Sequence, residues 1–234
     1  MFPNNTHKAI TFSFDDGVTQ DRRLVALFNK YNLKCTFNLN SGGFGKDGVC
    51  HWQKWSAPHN KVNSAEVKAL YSGHEVAVHT VNHPDLTTIA DEKIIIDEIE
   101  QDRKVLEKLT GDKIVGMAYP FGTLNDRIVN IIKRNTPIKY ARSIWATYNF
   151  DLQDNLLAFR PTIHFLDFKK MYELAGTFLN TEYYEDKIFY IWGHSYELDF
   201  EDAWEEFEKF LAYIANKKDV FYGTNKEVLL NGQK

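Results

Sequence analysis

The chain has 234 residues and a formal net charge of −4 from 28 basic and 32 acidic side chains, with no basic stripe. That balance argues against nucleic acid as a partner, and no apolar segment approaches membrane-spanning length. A hydrophobic fraction of 44% with seventeen Phe and twelve Tyr excludes disorder and suits a thick core or a groove that stacks flat ligands. Cys35 and Cys50 can pair at most once, so no disulfide framework holds the fold, and Cys35, in an apolar run, reads as a small buried residue. The opening residues Met1-Phe2-Pro3-Asn4-Asn5 lack a basic region followed by an apolar core. This points to a cytoplasmic protein, with a secreted or cell-envelope location left open if a leader has been removed.

In chain order, residues 8–14 read as a first strand that stops at Asp15-Asp16-Gly17, where its alternation buries one face and Gly17 permits a turn. Alone, Asp-Gly is a common turn dipeptide. An amphipathic helix follows over 20–31, with Leu24, Leu27, Phe28 and Tyr31 on one face, then a strand over 35–39. Residues 40–63 form a long Gly-rich irregular segment carrying His51, Trp52, Trp55 and His59, expected either to wall a cleft or to be a flap pinned by its tryptophans. Ser64 is placed to cap a helix ending near 72–73, and 75–78 is a third strand. Residues 91–109 carry the clearest helical stripe, Ile94, Ile95, Ile99, Leu106 and Leu109, stopped by Gly111. Strands over 114–118, 140–143, 157–162, 188–192 and 220–222 alternate with helices over 125–134, 168–179, 200–214 and a short one from 225. Continuous alternation, without linker or repeat, implies a single α/β domain over 1–234. At this length a parallel barrel is favoured over two half-domains.

Parallel barrels carry their reactive groups at the carboxyl ends of the strands. Four such ends here are chemically unusual: Asp15-Asp16, His79-Thr80-Val81-Asn82-His83-Pro84, Tyr119-Pro120-Phe121-Gly122 and Trp192-Gly193-His194-Ser195. Two histidines four apart often mark a helix face that binds zinc. The strand before His79 and the proline after His83 predict a strand-to-loop turn instead, which can still bring both imidazoles to one ion. Two imidazoles and a carboxylate make a zinc triad with positions left for water and substrate.

Ser13-Phe14-Asp15-Asp16-Gly17 resembles the first motif of the polysaccharide deacetylases, the NodB-homology hydrolases, and His79–Pro84 resembles their second. Tyr119-Pro120-Phe121-Gly122 and Ile191-Trp192-Gly193-His194 resemble the third and the last, in the family's order. The resemblance implies a distorted (β/α) barrel with a metal-dependent N- or O-deacetylase site. By the same match Asp16, His79 and His83 would bind one divalent metal, zinc first, with cobalt, nickel or iron also compatible. Asp15 would be general base and His194 general acid, with the Tyr119 N–H holding the oxyanion. Tyr119, Pro120, Phe121 and Trp192 would contact an acetylated carbohydrate, and Trp52 and Trp55 could stack on sugar rings.

Two features depart from the family pattern. The arginine that opens the third motif and holds the base is missing, which leaves Arg142 or Arg160 as substitutes, Arg142 preferred. The aspartate that orients the acid histidine is not recognisable. Asp151 and Asp154 are the nearest candidates, and His164 could join the site. Alternatives are a hydrolase of a small non-glycan amide and a catalytically silent carbohydrate-binding barrel. Substrate length and oligomeric state are not legible.

Overall fold

In the computed structural model, which describes residues 1–231, Lys8–Asp15 forms β1 and all eight of its residues are buried. Both faces of this strand are covered, not one. Ile10, Phe12 and Phe14 belong to the layer between sheet and helices, where Phe12 and Phe14 meet Phe28 edge-on at 4.9 and 6.0 Å. The alternate residues Thr11, Ser13 and Asp15 face the barrel interior and are held there by hydrogen bonds.

The chain continues as α1 (Asp21–Lys30), β2 (Thr36–Leu39), a hairpin of β3 (Val49–Trp52) and β4 (Trp55–Pro58), α2 (Val67–Leu70), β5 (Glu75–Val78) and α3 (Glu92–Thr110). It then runs through β6 (Gly116–Ala118), α4 (Asp126–Asn135), β7 (Tyr140–Arg142), β8 (Ile163–His164) and α5 (Phe168–Asn180). The closing elements are β9 (Lys187–His194), α6 (Trp204–Ile214), β10 (Val220–Tyr222) and α7 (Asn225–Leu229). Apart from the β3–β4 hairpin the strands are all parallel, in the order β7-β6-β5-β2-β1-β9-β8. One edge of β1 is shared, its first half pairing with β10 and its second with β2. A parallel bridge from Arg142 to Phe159 carries the curl from β7 toward the segment leading into β8. The result is the unevenly closed parallel barrel that the alternation implies.

The expected helix signals hold locally. Asp91 caps α3 by accepting the Lys93 N–H, and Gly111 ends it in the left-handed region at φ 86°. Other expectations are corrected. The 40–63 segment is not wholly irregular, because it contains the β3–β4 hairpin. The cap after it is Asn63, reciprocated by Glu66, rather than Ser64. Residues 157–162 are no strand: a 3-10 turn at Leu156–Ala158 precedes the two-residue β8. The helix expected over 200–214 begins only at Trp204, because Ser195–Asp202 is a 3-10 segment ending on a left-handed Asp202 (φ 52°).

α7 plugs the amino end of the barrel with a saturated polar network. Asn225 donates to Thr11 Oγ1 at 2.8 Å and accepts from the Tyr190 hydroxyl at 2.6 Å, while Glu75 accepts from Thr36 and Tyr140, both at 2.8 Å. With that end filled, the opposite end is left for chemistry. Register places Asp15 opposite His194 and Asn38, and Arg142 opposite Ala118. Among the described residues no helix is long and apolar enough to cross a membrane, and both cysteines are free thiols.

Asp21, at the start of α1, is wholly buried, accepting from Ser195 Oγ at 2.5 Å and Tyr71 OH at 2.7 Å. Burial pushes its carboxyl up to about 7 despite those bonds. The folded protein therefore holds this proton more tightly than the unfolded chain. The contribution is fully present below about pH 4 and is lost as pH rises toward 7. In Asp21→Asn that loss should vanish. The stability difference, wild type minus variant, should fall by about 1.4 kcal/mol per pH unit across this window, read by urea titrations at successive pH values.

Candidate metal centre and acid–base site

Asp16 follows the last residue of β1 and adopts φ 82°, with Gly17 next at 61°. A Cβ at Gly17 would come within 2.8 Å of Leu39, so a side chain there meets both strain and a clash. The 40–63 segment returns to pair with this turn, Val62 donating to the Gly17 carbonyl at 2.9 Å, and so delivers two side chains to Asp16. His59 Nε2 lies 3.1 Å from Asp16 Oδ2, and Lys61 Nζ lies 3.3 Å from Oδ1 while donating to the Asp16 carbonyl at 2.7 Å. Burial works against ionisation of Asp16, but Lys61 and His59 outweigh it and hold the carboxyl well below its ordinary range.

His79, the residue after β5, is buried, and Asp102 on α3 accepts its main-chain N–H at 3.1 Å. Its Nδ1 lies 2.9 Å from the Ala118 carbonyl, which can only accept, so the ring proton is on Nδ1 and Nε2 presents a lone pair. Burial lowers this imidazole to about 4, keeping it neutral. Thr80 and His83 take the left-handed region at φ 66° and 57°, and Thr80 Oγ1 accepts the His83 N–H at 3.1 Å. This tight turn, not a helix face, brings the two rings edge-to-face at 4.7 Å. The nearest ligand atoms of Asp16, His79 and His83 lie within 4.8 Å of one another. An ionised carboxylate, a neutral imidazole with its tautomer set and a second close imidazole suit a divalent ion.

Asp15 stands beside this cluster, only 2% exposed. Asn38 donates to its Oδ1 at 2.8 Å, and the Arg142 guanidinium, wholly buried and stacked on Trp192 at 4.5 Å, donates to its Oδ2. Burial alone would raise this carboxyl, but Arg142, with His79 and His194, lowers it below the ordinary value. Oδ2 is 3.9 Å from His79 Nε2 and 4.0 Å from His194 Nε2, between the metal-binding face and the imidazole at the end of β9. Arg160 is elsewhere, donating to the Trp145 and Ala146 carbonyls on the surface.

The carboxylate beside His194 is Glu197, which sequence reasoning missed. It accepts the His194 main-chain N–H at 2.9 Å as the third residue of a capping box and so sits 3.3 Å from His194 Nδ1. A Glu three residues after a strand-ending His was the available signal. Asp151 pairs with Lys187 and Asp154 lines a surface groove with Lys133 and Lys139, so neither faces His194. Burial would lower His194, but Glu197 and the two aspartates raise it to about 9.

Tyr119 also needs correction. Its N–H donates to the Arg142 carbonyl at 3.0 Å and its hydroxyl to Leu157 O at 2.6 Å, so this buried residue has neither group to spare for a substrate. Pro120 is buried as well, whereas Phe121 is 58% exposed, left-handed at φ 57°, and edge-on to His83 at 4.6 Å. Trp192 is buried, and its indole N–H has no acceptor among the described residues.

Residues 3–138, more than half of the chain, match the family model for polysaccharide deacetylase, and the chain belongs to that family. Over 92 residues it is 33% identical to Chitin deacetylase 1 of Cryptococcus neoformans, an alignment covering 36% of this chain and 18% of that relative. The chain thus spans less than a fifth of that protein. A Mycobacterium smegmatis protein classed with the polysaccharide deacetylases superposes with a TM-score of 0.71 at 15% identity, covering 100% of this chain and 92% of the other. A peptidoglycan N-acetylglucosamine deacetylase gives 0.59 at 16% identity, with 100% and 92% coverage. At these identities the two structures speak for the barrel fold.

Proposed function

We propose that the chain is a metal-dependent hydrolase that removes N- or O-linked acetyl groups from an amino sugar or glycan. The observation that carries this reading is the position of Asp15 Oδ2, 3.9 Å from His79 Nε2 and 4.0 Å from His194 Nε2. A base there can take a proton on the metal side while the imidazole opposite delivers one.

Asp16, His79 and His83 would hold the ion, zinc first among the candidates. A bound divalent ion supplies Lewis acidity to an acetyl carbonyl and acidifies water. Asp15, kept ionised by Arg142, receives the proton of the attacking water at Oδ2. His194, kept protonated by Glu197, gives its Nε2 proton to the departing nitrogen or oxygen. Phe121, exposed and next to His83, is the contact we assign to the substrate, whereas buried Trp192 serves as the face on which Arg142 stacks. Trp52 and Trp55 with Leu166, Phe168 and Phe200 line a cavity of about 270 Å³ that offers aromatic faces to a sugar ring. The alternative of a small non-glycan amide draws on the missing third-motif arginine. The contact from Arg142 on β7 to Asp15 supports its standing in for that arginine, which weakens the alternative.

Acetate release from acetylated chito-oligosaccharides should disappear on chelation and return with zinc. Activity that survives full metal removal would refute the reading. Glu197→Gln removes the charge that raises His194. Since the acid works protonated, the alkaline limb of the pH–rate profile should move to lower pH, with kcat reduced about 10- to 100-fold. An unmoved limb would exclude Glu197 from the acid assembly.

A further inference from the structure

Among the described residues two clusters offer the same donor set, two imidazoles and a carboxylate with their nearest atoms within 4.8 Å: Asp16, His79 and His83, and His164, His194 and Glu197. Their hydrogen bonds separate them. His79 spends its Nδ1 proton on the Ala118 carbonyl and keeps a lone pair at Nε2. His164 is wired the other way. The Leu166 main-chain N–H donates to His164 Nδ1 at 3.3 Å, and Nε2 faces Glu197 Oε2 at 3.1 Å. With Nδ1 accepting the Leu166 N–H, the His164 ring proton is on Nε2, the nitrogen that lies 3.1 Å from the carboxylate. In that tautomer His164 offers Glu197 a donor and offers a cation no lone pair.

Glu197 Oε2 also accepts the His194 main-chain N–H at 2.9 Å and lies 3.3 Å from His194 Nδ1. Both come from the same capping turn as Glu197. His164 comes from β8 and is the tether from outside that turn. Its ring is confined by Phe165, stacked at 5.3 Å, and by the Trp192 edge at 4.6 Å. The packing requires a glycine at 193, since a Cβ there would lie 2.2 Å from the Phe165 ring and 3.3 Å from Glu197 Oε2.

We propose that His164 is a positioning residue for His194: its Nε2–H fixes Glu197 against His194 Nδ1, and this cluster carries protons rather than a second metal ion. The proposal rests on the reading of His194 as the acid.

His164→Phe removes the donor and keeps a ring, whereas His164→Gln retains a side-chain N–H. His164→Phe should lower kcat about 10-fold, the low end for loss of a supporting hydrogen bond, with KM little changed and the alkaline limb moved to lower pH. His164→Gln should recover most of both effects. Two readouts need no substrate. Nitrogen-15 NMR should show His164 protonated on Nε2 and bare on Nδ1. Calorimetric zinc titration should find one ion per chain in wild type and in His164→Phe, and none in His79→Ala. An unchanged rate and pH profile in His164→Phe, a His164 protonated on Nδ1, or a second zinc lost with His164→Phe would each overturn the proposal. If the wild type releases no acetate from any acetylated sugar, the functional reading falls, while the nitrogen spectrum and zinc count still decide the tautomer and the metal.

Discussion

Asp15→Asn should lower kcat for acetate release by about 10²- to 10⁴-fold, the usual worth of a positioned general base. The amide keeps the shape of the carboxylate but cannot take a proton at the position between His79 and His194. The substitution also has a structural cost, because both Asp15 oxygens receive donors, Asn38 on Oδ1 and Arg142 on Oδ2. Asn38 can adapt by turning its amide, since its own Oδ1 is buried without a partner among the described residues. Arg142 cannot adapt, and remains a buried cation without its counter-charge. Rates should therefore be compared well below the variant's unfolding transition and at equal zinc content. Turnover within about threefold of wild type under those conditions would remove Asp15 from the role of base.

Arg142→Met should be the most destabilising single change in the site, by about 3–5 kcal/mol, because it leaves a buried carboxylate unpaired. The two side chains are 0% and 3% exposed, so solvent screens little of the interaction. Its sign in pH follows from Asp15. In the folded protein this carboxyl lies below its ordinary value, so it contributes stability above the usual carboxylate range and loses it as pH falls through the folded value. Without the guanidinium, burial dominates and the pKa rises. Asp15 works ionised, so the acid limb of the pH–rate profile should move to higher pH. The double variant Asp15→Asn with Arg142→Met should be less destabilised than the sum of the single changes, since neither charge is then left alone. Strict additivity in urea titrations would mean that the two residues do not depend on each other.

The strand ends that carry chemistry were legible because short β-branched and aromatic runs stopping at Asp15-Asp16-Gly17 and at His79 to His83 have little other reason to occur in one alternating chain. Arg142 was reachable as the residue ending a strand, but its pairing with Asp15 depends on the curl of the barrel, which no local spacing encodes. Glu197 was hidden for the opposite reason. Its signal is local, a capping box on His194, whereas the family pattern points to an aspartate upstream. His59 was marked only by lying in the long 40–63 segment and Lys61 not at all, because they reach Asp16 through an antiparallel bridge from Lys61 to Val18. Tyr119 misled because the β6–β7 pairing runs one residue past the strand end and consumes its N–H. Residues 157–162 show the limit of propensity, for an apolar run can line a barrel as a 3-10 turn as readily as it can pair.

Anomalous diffraction from zinc-loaded crystals tests the centre of this account most directly. The account requires one peak within about 2.0–2.2 Å of Asp16, His79 and His83. A peak elsewhere, above all one held by His164, His194 and Glu197, would contradict it.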